Sequence, residues 1–182
     1  MAFAVAQAID APLDVIVVQL LATQDQPELV LGVLGEHAVV PDDRVLEATG
    51  TTSAELAAMV VRERANLEHR VLQYRAEQPR VPLAGRIAVI VDEGAASASL
   101  AKGACQVARA NGAERVVLAV PWVSSEAVDA LGEVADELVY LETSDVAAGG
   151  RQYRDLPPIS DDEVVAFLVR AEIHQGPRLL SE

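Results

Sequence analysis

The sequence is poor in several residue types, and each scarcity excludes a class of protein. Its 182 residues include one cysteine, Cys105, so no internal disulfide can form and a reducing compartment is expected. There are 14 basic residues against 28 acidic ones, which gives a formal net charge of −14. Nucleic acids and anionic membrane surfaces are bound through clustered Lys and Arg, so we expect neither as a partner.

Long apolar runs and histidine clusters are also missing. No run is long enough to span a bilayer, and the first residues lack the basic start of a signal peptide, so we expect a cytoplasmic protein. The histidines, His37, His69 and His174, are too far apart to suggest a metal site made by protein side chains. Cys105 falls inside a predicted helix, where it is interpreted as buried filler.

Hydrophobic residues make up 51% of the chain, enough for one domain with a core. In the first half, the apolar run at 15–21 is typical of a parallel strand buried on both faces, and residues 29–40 predict extended or hairpin structure. Thr52 and Glu55 have the spacing of a capping box and begin a long helix that ends before 78–82.

The second half alternates between strand and helix patterns. This alternation predicts an α/β fold, with a mainly parallel twisted sheet flanked by helices. We assign residues 1–182 to a single domain with a helical insertion at about 42–80. The predicted strands are 87–91, 115–123 and 137–143, and the predicted helices are 100–110, 124–135 and one that follows Ser160.

The most informative stretch is RIAVIVDEGAASASLAKGACQVARANG, residues 86–112. Asp92 and Glu93 end a predicted strand, and ligands of α/β sheets bind beyond the carboxyl ends of the strands. The small and hydroxyl residues that follow lead into a helix near Leu100, whose N-terminus suits a phosphate. The stretch therefore predicts a site for a phosphorylated sugar; the alternative is a tight, capped strand-to-helix connection.

The segment VIVDEGAASASLAKGACQVARANGAERVVLAVPWVSSEAVDAL resembles the phosphoribosyl-pyrophosphate motif of type I phosphoribosyltransferases. APLDVIVVQLLATQDQPELVLGVLGE, LAGRIAVIVDEG and YRDLPPISDDEVVAFLVRA resemble a bacterial subgroup of that family with a long helical insertion. The resemblance implies a phosphoribosyltransferase-like fold, magnesium bound with the substrate, and ribose contacts from the catalytic residues Asp92 and Glu93. It also implies phosphate contacts from Gly94, Ala95, Ala96, Ser97, Ala98 and Ser99.

The chain departs from the family pattern in three places. Ala98 stands where the family loop usually has glycine, and Leu100 where it has a hydroxyl residue. Gln19 and Leu20 replace a basic pair. The family's first strand and its pyrophosphate loop correspond to a position upstream of Met1.

Two functional hypotheses follow. In the first, an enzyme of impaired activity transfers a 5-phosphoribosyl group from phosphoribosyl pyrophosphate to a nitrogenous acceptor, with Tyr153 and Arg154 near the acceptor; the alternative for Tyr153 is partial packing. In the second, a non-catalytic relative acts as a binding or assembly module. The expected ligands are phosphoribosyl pyrophosphate or a nucleotide monophosphate, and an apolar patch left open by the missing first strand favours a homodimer.

Overall fold

Helices and strands alternate along the chain, as the sequence pattern predicts. The computed structural model describes residues 1–23, 25–26, 29–76, 79–95, 98–144, 153, 155 and 157–175. Within these residues the elements are α1 (Ala2–Ala8), β1 (Val18–Ala22), β2 (Val30–Gly35), β3 (Val39–Pro41), α2 (Asp43–Thr49), α3 (Ser53–Arg75), β4 (Ile87–Val91), α4 (Ala98–Ala110), β5 (Arg115–Ser124), α5 (Ser125–Gly132), β6 (Glu137–Ser144) and α6 (Asp161–Gln175).

The first three strands form an antiparallel sheet in the order β1-β2-β3. Residues 29–40, predicted to be extended or hairpin structure, form the hairpin, as β2 and β3. The prediction of a parallel strand at 15–21 is wrong, because β1 begins at Val18 and pairs antiparallel with β2. The error has a physical reason: β1 contacts α3 and α4, and a strand covered on both faces is apolar whichever way its neighbour runs.

The segment between the two sheets is helical. Asp42 caps α2 by accepting a hydrogen bond from the Val45 N–H at 3.2 Å, so this segment begins with a short helix. The capping box of Thr52 and Glu55 is confirmed at the start of α3. Buried side chains of α3 pack on β1, β2 and α6 and form one of two cores; those of α3 are Leu56, Met59, Leu67 and Tyr74.

The last three strands form a parallel sheet in the order β4-β5-β6, so the predicted α/β class with flanking helices is confirmed. The predicted predominance of parallel pairing is not, since two of the four strand pairs in the described residues are antiparallel. Helices α4 and α5 cover one face of this sheet and form the second core. Four large apolar side chains remain exposed on its other face: Ile87, Val89, Val139 and Leu141.

Helix α4 joins the two sheets through two glycines. A β-carbon on Gly35 of β2 would lie 2.5 Å from the Val107 side chain of α4, and one on Gly103 of α4 would lie 2.6 Å from the Val33 side chain of β2. A valine side chain of α4 thus packs on the glycine of β2, and a valine side chain of β2 packs on the glycine of α4. This close packing holds the antiparallel sheet against the helix that follows the Asp92–Glu93 turn.

Candidate functional site

The candidate site lies at the carboxyl edge of the parallel sheet. After Val91 the chain leaves the ladder and returns at Ala95, which bridges to Val123 of β5. The ladder is interrupted opposite Pro121, which has no N–H with which to continue it. Asp92 and Glu93 lie in this interruption, where the sequence predicts a ligand site.

Asp92 and Glu93 form an unequal carboxyl pair. Asp92 is half-buried, and burial raises its pKa to about 7, with the neighbouring Glu93 carboxyl adding to the rise. Glu93 is exposed, and a hydrogen bond with the Asp92 carboxyl lowers its pKa. When the pair holds one proton, that proton is therefore mainly on Asp92 and the negative charge mainly on Glu93.

Gly94 completes the turn over a buried tryptophan. Its φ of 154° is one that residues with a side chain rarely adopt, and a β-carbon here would lie 2.1 Å from Nε1 of Trp122. Trp122 is a core residue, 4% exposed. Nε1 is buried without a hydrogen-bond partner among the described residues.

The predicted phosphate loop is described at four of its six positions. Ala95 is buried, and its N–H donates to the Trp122 carbonyl at 3.0 Å, so that group is occupied within the protein. Ala98 and Ser99 form the first turn of α4, which begins two residues earlier than predicted. Ala96 and Ser97 lie outside the described residues. Phosphate binding by this loop stays a prediction.

Tyr153 reaches the same turn from the segment after β6. Its hydroxyl donates a hydrogen bond to the backbone carbonyl of Glu93, and its ring is half-buried. Burial and the charges of Glu93 and Asp92 raise the pKa of Tyr153. The sequence offered this residue as either packed or close to the acceptor, without a contact to Glu93. Arg154 lies outside the described residues.

Three other residues, Cys105, Ser124 and Ser160, have structural roles. Cys105 is fully buried, which confirms its interpretation as filler, and burial raises the pKa of its thiol to about 11. Ser124 caps α5 by accepting from the Ala127 N–H at 3.2 Å. Ser160 accepts from the Glu163 N–H at 3.3 Å, at the start of α6.

Comparison with known proteins identifies a solved structure with a similar fold. The chain resembles the crystal structure of TT1426 from Thermus thermophilus, with a TM-score of 0.84 and 34% sequence identity, over 92% of this chain and 80% of that one. The chain belongs to the family of TT1426.

Curated relatives of the chain carry a functional name. Two proteins from two strains of Mycobacterium tuberculosis, each named "Putative phosphoribosyl transferase", are 47% identical to it over 172 residues. That match covers 93% of this chain and 39% of each relative, so the chain spans about two fifths of their length. No family model matches the chain.

One charged residue close to the candidate site, Lys102, was not predicted from the sequence to be a site residue. Lys102, the only lysine of the chain, lies on α4 one turn beyond Ser99, with Nζ 3.4 Å from the Asp42 carboxylate. Both residues line a cavity of about 210 Å³ between α4 and the antiparallel sheet. Lys102 is thus a cation close to the predicted phosphate loop, but an acid already compensates it. A lone lysine inside a helix pattern carries no sequence signal for this position.

Cation ligands are few in the described part of the chain. It contains no group of three or more His, Cys, Asp or Glu side chains that could hold a metal ion. Asp92 and Glu93 fit magnesium in the way that this ion commonly binds, through one or two carboxylates, with waters and substrate oxygens completing the coordination shell.

None of the described helices is long and apolar enough to cross a membrane.

Proposed function

We propose that this chain is a phosphoribosyltransferase-like protein that binds phosphoribosyl pyrophosphate or a nucleotide monophosphate at the Asp92–Ser99 turn. The observation that carries the proposal is the position of the Asp92–Glu93 pair. It follows a parallel strand directly, and the chain then enters the N-terminus of the 13-residue helix α4. The name carried by the curated relatives supports the same reaction class.

Different residues of the turn contact the ribose and the 5-phosphate of the ligand. Glu93, the ionised member of the pair, accepts hydrogen bonds from the ribose hydroxyls, and Asp92 beside it holds a proton that it can give up when a cation approaches. The free N–H groups at the start of α4 favour the 5-phosphate. Magnesium, held by these carboxylates and by substrate oxygens, would neutralise charge on the leaving pyrophosphate.

Binding is expected to be weak. Lys102, the cation near the start of α4, is paired with Asp42, and the basic pair usual in the family is replaced by Gln19 and Leu20 in β1. Each missing charge-assisted contact removes roughly 1.5–3 kcal/mol, so two would weaken binding by about two to four powers of ten. Transfer to purine or pyrimidine bases should be correspondingly slow or absent.

Isothermal titration with magnesium and phosphoribosyl pyrophosphate tests this function. We expect weak binding by the wild-type chain, binding at least tenfold weaker by Glu93→Gln, and no change in Glu126→Gln, which removes an exposed carboxylate of α5. Micromolar binding by the wild type would show that the departures from the family pattern are tolerated. Equal affinities for Glu93→Gln and the wild type would remove the ribose role.

The uncovered face of the parallel sheet favours the second function, an assembly module. Parallel sheets are normally covered on both faces, yet Leu141 is 86% exposed and Ile87 60%. We propose this face as the contact of a homodimer, opposed at low salt by the net charge of −14. Sedimentation in high salt should show a dimer that Leu141→Glu dissociates, while Leu72→Glu, on an exposed position of α3, leaves it intact. A wild-type monomer in high salt would exclude this contact.

A further inference from the structure

The peptide unit between Glu93 and Gly94 differs from its neighbours in the turn. The N–H of Asp92 donates to the Ala119 carbonyl at 3.3 Å, and that of Ala95 donates to the Trp122 carbonyl. The Glu93 N–H donates to Oδ1 of Asp92 at 2.7 Å. Between Asp92 and Ala95, only the Gly94 N–H has no acceptor within the described chain, and Gly94 is half-buried.

The free donor lies where the pairing between the turn and β5 is interrupted. The pairs Val91–Ala119 and Ala95–Val123 keep one register, in which Pro121 lies opposite the middle of the turn. A regular residue there would both donate to the turn and accept from it. Pro121 cannot donate, so regular pairing breaks at this point, and the Gly94 N–H donates neither to the Pro121 carbonyl nor to another described acceptor.

The orientation of that N–H depends on the carbonyl at the other side of the same peptide. In a trans peptide the C=O and N–H bonds point in opposite directions, so a contact that fixes one also fixes the other. The Glu93 carbonyl is held by the Tyr153 hydroxyl. A glycine allows its peptide to rotate at little steric cost, so without this contact the sequence at 94 does not hold one orientation.

We propose that Tyr153 is a positioning residue that holds the Glu93–Gly94 peptide, so that the Gly94 N–H points away from Tyr153 and donates to an oxygen of the bound phosphorylated sugar. The ligand half of this proposal rests on the proposed function; the tether does not. A donor fixed before the ligand arrives needs no rearrangement on binding. The Tyr153 hydroxyl stays protonated at neutral pH, since burial and the nearby carboxylates raise its pKa, so it remains a donor.

The tether can be tested without a ligand. Tyr153→Phe removes only the hydroxyl, and Tyr140→Phe, at a 40% exposed position of β6, is the matched control. Residual dipolar couplings of the Gly94 N–H, measured by NMR on the ¹⁵N-labelled chain, report the orientation of this bond. We expect the Gly94 coupling to change in Tyr153→Phe, with the couplings of the β-strands preserved, and to stay unchanged in Tyr140→Phe. An unchanged Gly94 coupling in Tyr153→Phe would overturn the tether.

The ligand half is tested by titrating the same variants with phosphoribosyl pyrophosphate and magnesium. Loss of one oriented neutral donor should weaken binding roughly two- to tenfold in Tyr153→Phe and leave Tyr140→Phe at the wild-type affinity. A changed Gly94 coupling with unchanged affinity would overturn the role in binding while the tether stands. Absence of binding by the wild-type chain would overturn the proposed function and this half of the proposal, and the coupling would still decide the tether.

Discussion

The indole nitrogen of Trp122 lies against the α-carbon of Gly94, so closely that a β-carbon on residue 94 would be 2.1 Å from it. The two residues come from different strand ends, since Gly94 follows β4 and Trp122 lies near the end of β5. The turn with Asp92 and Glu93 therefore packs directly on the Trp122 ring. The shape of the candidate site depends on this contact.

Gly94→Ala should destabilise the protein by roughly 2–4 kcal/mol. The new β-carbon overlaps the Trp122 ring, and the φ of 154° is unfavourable for alanine. Gly132→Ala is the matched control, because a β-carbon at the end of α5 meets nothing within 4 Å, and its stability should stay equal to the wild type or rise slightly. Urea unfolding of both variants measures the difference.

The two causes of that loss can be separated with a double mutant. Trp122→Phe removes the indole nitrogen that a β-carbon on residue 94 would overlap. Gly94→Ala should therefore lower the free energy of unfolding less in this background than in the wild type, while the loss caused by the unfavourable φ remains. Strictly additive free energies would show that the steric contact with Trp122 does not matter.

Asp92 should make the stability of the protein depend on pH. Its pKa of about 7 lies above the ordinary value of 3.8, so between these values the folded state binds more protons than the unfolded one. The free energy of unfolding should therefore fall as the pH rises from about 4 to 7, and the loss should persist above 7. The lowered pKa of Glu93 acts in the opposite direction, but only in the range around and below its ordinary 4.5.

The measurement compares urea unfolding at pH 5 and pH 8. Asp92→Asn cannot ionise, so its stability relative to the wild type should rise between the two pH values. Asp129→Asn, at an exposed position of α5, should follow the wild type. If the Asp92→Asn profile ran parallel to that of the wild type, the raised pKa would be disproved.

Replacing the half-buried Arg75 should lower the free energy of unfolding more than replacing an exposed arginine does. At the end of α3, Arg75 pairs with Asp14 and with Glu36, the latter at 2.8 Å, and it also donates to the Val15 carbonyl. Arg75→Met leaves two carboxylates without their cation, one of them on a side chain only 7% exposed, and should cost roughly 3 kcal/mol. Arg62→Met breaks an exposed pair on the same helix and should cost less than about 1 kcal/mol. Equal losses in urea unfolding would contradict the distinction.

Cys105 should report global unfolding. Its thiol is fully buried on α4, and a pKa of about 11 leaves little thiolate at neutral pH. We expect a disulfide reagent to label the native chain only as fast as it unfolds, and to label one thiol per chain at once in denaturant. Rapid stoichiometric labelling of the native protein would mean that α4 opens locally.

Local chemistry explains which elements could be predicted from the sequence. The capping box of Thr52 and Glu55, the hairpin at 29–40 and the strand at 87–91 each depend on residues close together in the chain. The position of Asp92 and Glu93 at the end of a parallel strand followed from the same kind of signal. Helix α2 was missed because its signals, a cap at Asp42 and a glycine stop at Gly50, surround only seven residues and look like a turn.

The sequence by itself determined the α/β class, the capped helices and the acidic turn, because periodicity and capping act over a few neighbouring residues. Tertiary structure alone decided the direction of β1, since an apolar strand covered on both faces gives the same pattern in either pairing. Tertiary structure also decided the raised pKa of Asp92 and the packing of Gly94 on Trp122. It brought Tyr153 into contact with Glu93, 60 residues away along the chain. Burial and long-range contacts arise only when separate segments pack, and no local pattern encodes which segments will meet.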